Sequence, residues 1–124
     1  MNSLQPCVLV VDDEFLIAQG LRMQVEDMGL KVCGTAATAA TAIALAEAHR
    51  PSVVLMDVRL RGEGDGVDAA IAIHETVGSK VIFITGSREP ATMGRIELDH
   101  PSAVLFKPLF GRQLQTAIEA VLER

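Results

Sequence analysis

Five short apolar runs recur along the chain, each followed by a helical stretch, and this alternation limits the possible folds more than any other feature. The runs are Val8-Leu9-Val10-Val11, Lys31-Val32-Cys33-Gly34, Val53-Val54-Leu55-Met56, Val81-Ile82-Phe83-Ile84 and Ala103-Val104-Leu105-Phe106. Most are continuous and β-branched rather than alternating, as expected of parallel strands covered on both faces. The second is the weakest and reads as an edge strand.

The intervening segments carry helical signals. Ile17, Leu21, Val25 and Met28 fall on one stripe, and Gly29 ends it. Thr38 is placed to cap a second helix that reaches about Ala48 and stops before Pro51. A third runs from about Val67 to Val77, with Gly78 behind it. The fourth opens at Pro90, a residue suited to a first helical turn, and ends before Pro101. The last, from about Arg112, aligns Leu114, Ala117, Ile118, Val121 and Leu122. The sum is an α/β (βα)5 unit with a doubly wound parallel sheet, one domain over residues 1–124.

Composition narrows the function. At 124 residues and 49% hydrophobic, the chain can bury a single core without a disulfide or structural metal. A net charge of −5 gives no electrostatic footprint for nucleic acid. No apolar run reaches membrane-spanning length. The segment Met1-Asn2-Ser3-Leu4-Gln5-Pro6 lacks the features of a secretion signal, which points to the cytoplasm. Cys7 and Cys33 stand apart without CxxC spacing and read as small apolar fillers, because metal sites draw on more ligands. His49, His74 and His100 read as surface histidines.

In doubly wound sheets the chemistry gathers beyond the carboxyl ends of the strands, near the point where strand order reverses. Polar residues sit at those ends: Asp12, Asp13 and Glu14 after the first strand, Asp57 after the third, Thr85 after the fourth and Lys107 after the fifth. Two unit charges about 4 Å apart repel by about 4 kcal/mol at an effective dielectric near 20. A divalent cation removes that repulsion, and an all-oxygen ligand set suits Mg²⁺ rather than zinc. Asp57 then reads as a carboxylate nucleophile toward phosphorus. Lys107 supplies a fixed positive charge and Thr85 a hydroxyl donor for the phosphoryl oxygens. Singly these residues have plainer readings: Asp12 and Asp13 as helix caps, Asp57 as a loop opener, Lys107 as a solvated charge.

Asp12-Asp13, Asp57, Thr85 and Lys107-Pro108, each at its own strand end, resemble the signature of response-regulator receiver domains of two-component signalling, and the likeness spans the whole chain. The resemblance implies a flavodoxin-like fold with strand order 2-1-3-4-5. It implies a cytoplasmic phosphoprotein that accepts a phosphoryl group on Asp57 from a histidine kinase or a histidine phosphotransfer protein. Mg²⁺ would be bound by Asp13, Asp57 and the backbone carbonyl of Arg59, with Asp12 acting through water. Thr85 would be the switch residue, Lys107 the phosphate-binding lysine, and the Lys107-Pro108 peptide a candidate for the cis form. Output would pass to a protein partner through the fourth helix, fifth strand and fifth helix, from a monomer or a weak phosphorylation-dependent dimer. No nucleic acid or membrane partner is implied. The expected self-hydrolysis of the acyl phosphate is slow, a timer rather than an enzyme's turnover of a metabolite.

Three departures from the family pattern stand out. Many receivers carry an aromatic residue three positions before the lysine, and here that position is Val104. Phe83-Ile84-Thr85-Gly86 is similar to a subgroup of stand-alone receivers, but Ser87-Arg88 replaces the tyrosine that the subgroup usually carries shortly afterward. The loop Val58-Arg59-Leu60-Arg61-Gly62-Glu63-Gly64-Asp65-Gly66 is one residue longer than the commonest form and lacks its proline. Its glycines make it permissive, and Arg59 and Arg61 read as solvated charges.

Three rivals compete. Gly62-x-Gly64-x-Gly66 fits neither dinucleotide nor Walker spacing, and its acidic residues would repel a diphosphate. Asp57-Val58-Arg59 lacks the D-x-D of aspartyl phosphatases. The third is a docking module that keeps the receiver fold and works without phosphorylation, a reading that Val104 and Arg88 favour.

Overall fold

The structure is a computed structural model, and it describes residues 6–123. The N-terminal segment read above for a secretion signal lies, apart from Pro6, outside the described residues. Five strands and five helices alternate: β1 (Cys7–Val11), α1 (Phe15–Asp27), β2 (Lys31–Ala36), α2 (Ala39–His49), β3 (Val53–Met56), α3 (Gly66–Thr76), β4 (Lys80–Thr85), α4 (Pro90–Leu98), β5 (Ala103–Phe106) and α5 (Gln113–Leu122). The strands form one parallel sheet in the order β2-β1-β3-β4-β5. β2 is an edge strand, as expected from its weaker pattern, but it runs on to Ala36.

The continuous apolar strands split their side chains between two cores. Val8, Val10, Leu55, Ile82 and Ile84 meet α1 and α5 through Ala18, Leu21, Val25, Leu114 and Ile118. Leu9, Val11, Val54, Met56 and Phe83 meet α2, α3 and α4 through Ala42, Ala46, Ala69, Ile73 and Ile96. Alanine dominates the buried face of α2, which lets that helix lie close to the sheet. No described helix is long and apolar enough to cross a membrane.

The helix ends follow their local chemistry. Thr38 caps α2 by accepting from the Thr41 amide at 3.0 Å. Asp65 caps α3 in a reciprocal capping box with Asp68. Gly29 and Gly78 take the left-handed backbone (φ +84° and +82°) that ends a helix. Arg50 does the same at φ 47° without being glycine, held by its amide on the Ala46 carbonyl.

One plain reading of the sequence holds and one needs correction. The register of β1 with β2 shifts between Val8 and Leu9. The two cysteines are free thiols in β1 and β2, as the sequence suggested, and burial, reinforced by the neighbouring Cys7, pushes the Cys33 thiol up to about 12. A thiol so rarely ionised is inert as a nucleophile. His74, by contrast, is no free surface histidine, since its Nδ1 lies 2.8 Å from Asp99 just beyond α4.

Candidate functional site at the strand ends

The reversal of strand order falls between β1 and β3, whose last residues, Val11 and Met56, are register partners. The sheet ladder then runs one residue further at three places. The Asp12 amide donates to Ala36 (3.0 Å), the Asp57 amide to Val11 (2.9 Å) and the Lys107 amide to Thr85 (2.9 Å). Backbone hydrogen bonding of the sheet therefore sets where the site residues start, before any side-chain contact forms.

Carboxylate oxygens of Asp12, Asp13 and Asp57 lie within 4.8 Å of one another. Lys107 Nζ bridges two of these residues, 3.0 Å from Asp12 Oδ2 and 3.2 Å from Asp57 Oδ2. The other oxygen of Asp57 accepts from the Val58 amide at 2.8 Å. Asp57 and Asp12 are buried, at 7% and 3% exposure, so Asp57 is less open to solvent than its place at a loop suggested.

Burial raises the pKa of Asp57, a shift that Lys107 opposes and Asp12 reinforces. For Lys107, burial acts to lower the pKa, but the hydrogen bond to Asp12 and the charges of Asp57 and Asp12 outweigh it, and the net shift is upward. The ammonium stays charged and neutralises only part of the acidic cluster. An all-oxygen donor set with surplus negative charge fits a hard divalent cation.

Asp12 also has the plainer function considered above, in altered form. It accepts from the Glu14 amide at 2.9 Å and shapes the entry to α1, although the cap position itself belongs to Glu14. Thr85 is 2% exposed and ends β4, and its Oγ1 accepts from the Ser87 amide at 3.0 Å. The Lys107–Pro108 peptide is cis. Asp13, Asp57, Arg59, Thr85, Arg88 and Lys107 all line one open cleft of about 830 Å³. Val104 does not join them and packs against the α3/α4-side core.

The loop after Asp57 is tied down despite its glycines. The Arg61 amide reaches the Ala37 carbonyl (3.0 Å), and the Gly66 amide reaches Val58 (2.7 Å). Gly62 and Gly64 take positive φ (+76° and +81°), whereas Gly66 is required for space. A Cβ there would overlap the carbonyl of Asp57 and crowd Met56. Gly66 is the site residue that sequence reasoning missed. It counted as loop permissiveness, and its close approach to the Asp57 backbone shows only in three dimensions.

The receiver-domain family description matches residues 8–119, nearly the whole chain. The chain belongs to the response regulator receiver family. This receiver domain is 34% identical over 116 residues to the phyllosphere-induced regulator PhyR of Methylorubrum extorquens, covering 93% of this chain and 43% of PhyR. It is 32% identical over 117 residues to the transcriptional regulatory protein PdtaR of Mycobacterium tuberculosis, covering 94% of this chain and 57% of PdtaR. The receiver domain thus spans about half the length of these curated relatives. Among solved structures, the receiver domain of a modulated diguanylate cyclase from Desulfovibrio desulfuricans G20 superimposes with a TM-score of 0.89 at 34% identity, covering 95% of this chain and 94% of that one. A CheY-like receiver from Methanospirillum hungatei JF-1 gives 0.88 at 26% identity, with the same coverage.

Proposed function

We propose that this receiver domain is a Mg²⁺-dependent phosphoryl switch in which Asp57 is the acceptor. The observation that carries the reading is the packing of three carboxylates within 4.8 Å with a lysine across two of them. Asp13, Asp57 and the backbone carbonyl of Arg59 would hold the ion, with Asp12 acting through water. Bound there, Mg²⁺ supplies charge neutralisation for the carboxylates and for the incoming phosphoryl oxygens.

A carboxylate oxygen of Asp57 attacks phosphorus, and the P–N bond of a phosphohistidine donor breaks. The electron pair leaves with the imidazole, which takes up a proton, and an acyl phosphate remains on Asp57. Lys107 then exchanges part of its contact with Asp57 for a phosphoryl oxygen, while Thr85 donates its hydroxyl proton to another. The donor is a histidine kinase or a histidine phosphotransfer protein, met in the cytoplasm. The phosphorylated state is read by a downstream protein through the surface of α4, β5 and α5. Slow hydrolysis of the acyl phosphate resets the switch, and no metabolite is turned over.

The test is incubation with acetyl phosphate and Mg²⁺, read by intact-mass spectrometry. One added phosphoryl group is expected on the wild type, none on Asp57→Asn, and none after chelation of Mg²⁺. An unmodified wild type under several donors would favour the phosphorylation-independent docking module instead.

A further inference from the structure

The loop after Thr85 and the end of β5 hold a side-chain pair that the phosphoryl chemistry does not use. Arg88 lays its guanidinium over Phe106, 3.8 Å from the ring centroid. Phe106 is the last residue of β5 and lies opposite Thr85 in the β4–β5 ladder. Ala103 and Leu105 pack toward α1 and α5, and Val104 toward α3 and α4. Strand alternation therefore turns Phe106 to the α4 side. β5 is an edge strand and the ring is only half-buried, so the arginine forms part of its cover.

The loop's other side-chain contacts are local. The Ser87 amide donates to Thr85 Oγ1 (3.0 Å) and the Glu89 amide to Ser87 Oγ (3.2 Å). Both can travel with the loop. The Arg88 stack cannot, because its partner belongs to β5. Any shift that carries residues 85–88 toward Asp57 must draw the guanidinium off the ring. The arginine also lines the cleft that contains Asp57, so the inward path is open to it.

We propose that Arg88 and Phe106 form a latch on the Thr85 loop. The stack holds the loop outward while Asp57 is free. The phosphoryl group draws the loop inward and leaves Phe106 bare on the α4–β5 surface for the downstream partner. The latch rests on the phosphoryl-switch reading, and both residues are positioning residues for Thr85.

The experiment measures the phosphorylation rate of the 124-residue chain with acetyl phosphate and Mg²⁺. Arg88→Gln and Phe106→Leu should each raise the rate about two- to fivefold, the population shift that a half-exposed cation–π contact can hold back. The double variant should show no further gain, and Arg88→Lys, which keeps a cation over the ring, should stay near the wild-type rate. Phe106→Trp introduces the chain's first tryptophan. Its emission should change when beryllofluoride and Mg²⁺ are added, and that change should shrink in an Arg88→Gln background. A labelled wild type with unchanged or additive variants would overturn the latch and leave the phosphoryl switch standing. Slower labelling of Arg88→Gln alone would also overturn it, by making Arg88 a phosphoryl contact. A wild type that takes no label sinks the switch and the latch together.

Discussion

α3 and α4 flank the same cleft and are held in opposite ways. Five of the eleven residues of α3 are buried, starting with Gly66 against the Asp57 backbone. Of the nine residues of α4 only Ile96 is. The rest of its attachment is largely polar and gathers at its C-terminal end: Arg95, in the last turn, reaches Asp65 and Asp68, and Asp99 just beyond the helix meets His74. The ion pairs of Arg95 are partly exposed, contribute little each and re-form easily. The half that holds the proposed acceptor is fixed by close packing, while the half assigned to the response rests on one fully buried anchor, Ile96, the partly buried Met93 and exchangeable contacts. Segments with few buried contacts are the ones that shift at low cost.

The sharpest way to break this contrast is Gly66→Ala. The added methyl meets backbone on the fixed side, where nothing can yield, so a loss of about 3 kcal/mol is expected in urea denaturation, with loss of labelling at Asp57. A cost under about 1 kcal/mol would mean that the seat of Asp57 is as adaptable as α4.

A matched pair sharpens it next. Ile73 on α3 and Ile96 on α4 are both fully buried. Truncation to alanine costs the transfer free energy plus whatever cavity the surroundings fail to close. Ile73→Ala should fall near the upper end of the usual range, about 4 kcal/mol, and Ile96→Ala near the lower end, about 2 kcal/mol, because α4 can settle into the space. Equal losses would refute the difference in attachment.

The two halves also differ in how far they were legible in the sequence. Strand runs and the polar residues at their ends are local patterns, and the sheet ladder turns them directly into a site at Asp12, Asp57, Thr85 and Lys107. What escaped depends on contacts between segments far apart in sequence. The need for glycine at position 66 comes from the carbonyl of Asp57, nine residues back. Phe106 receives its cover from a loop on the neighbouring strand. The cysteines become neighbours because β1 and β2 pair side by side, which their spacing does not encode. His74 and Asp99 are each ordinary alone. The alternate glycines of the loop suggested freedom, whereas amide contacts to Ala37 and Val58 hold the loop in place.

A smaller effect concerns charge on the fixed side. The folded protein raises the pKa of Asp57 above its ordinary 3.8. Below the unfolded value both states hold the proton and no penalty exists. As pH rises through the folded value, the penalty of a buried carboxylate beside Asp12 develops, and it persists at neutral pH. In metal-free buffer Asp57→Asn should therefore raise Tm at pH 7 and leave it unchanged near pH 3. Adding Mg²⁺ should narrow the gap, because the cation removes the same repulsion. A lower Tm for the variant at pH 7 would show that the contact with Lys107 outweighs burial.

The smallest effect is expected at the polar tie of α4. Arg95 donates to Asp65 at 2.7 and 3.2 Å and to Asp68 at 3.3 Å. Burial acts to raise the Asp65 pKa, but the guanidinium and the capping-box contacts outweigh it and hold the carboxyl below its usual range. A depressed carboxyl pKa gives stability that is present above the unfolded value and is lost as pH falls through the folded one. Arg95→Gln should remove part of this acid dependence at a cost below about 1 kcal/mol at neutral pH, since the pair is partly exposed. The capping box does not need the arginine, so the start of α3 should hold, with amide exchange at Asp68 unchanged. Exchange in α4 should quicken instead, and high salt should bring wild type and variant together. If α3 loosens as much as α4, the ion pair braces both helices alike and the division between a fixed and a yielding side fails at that end.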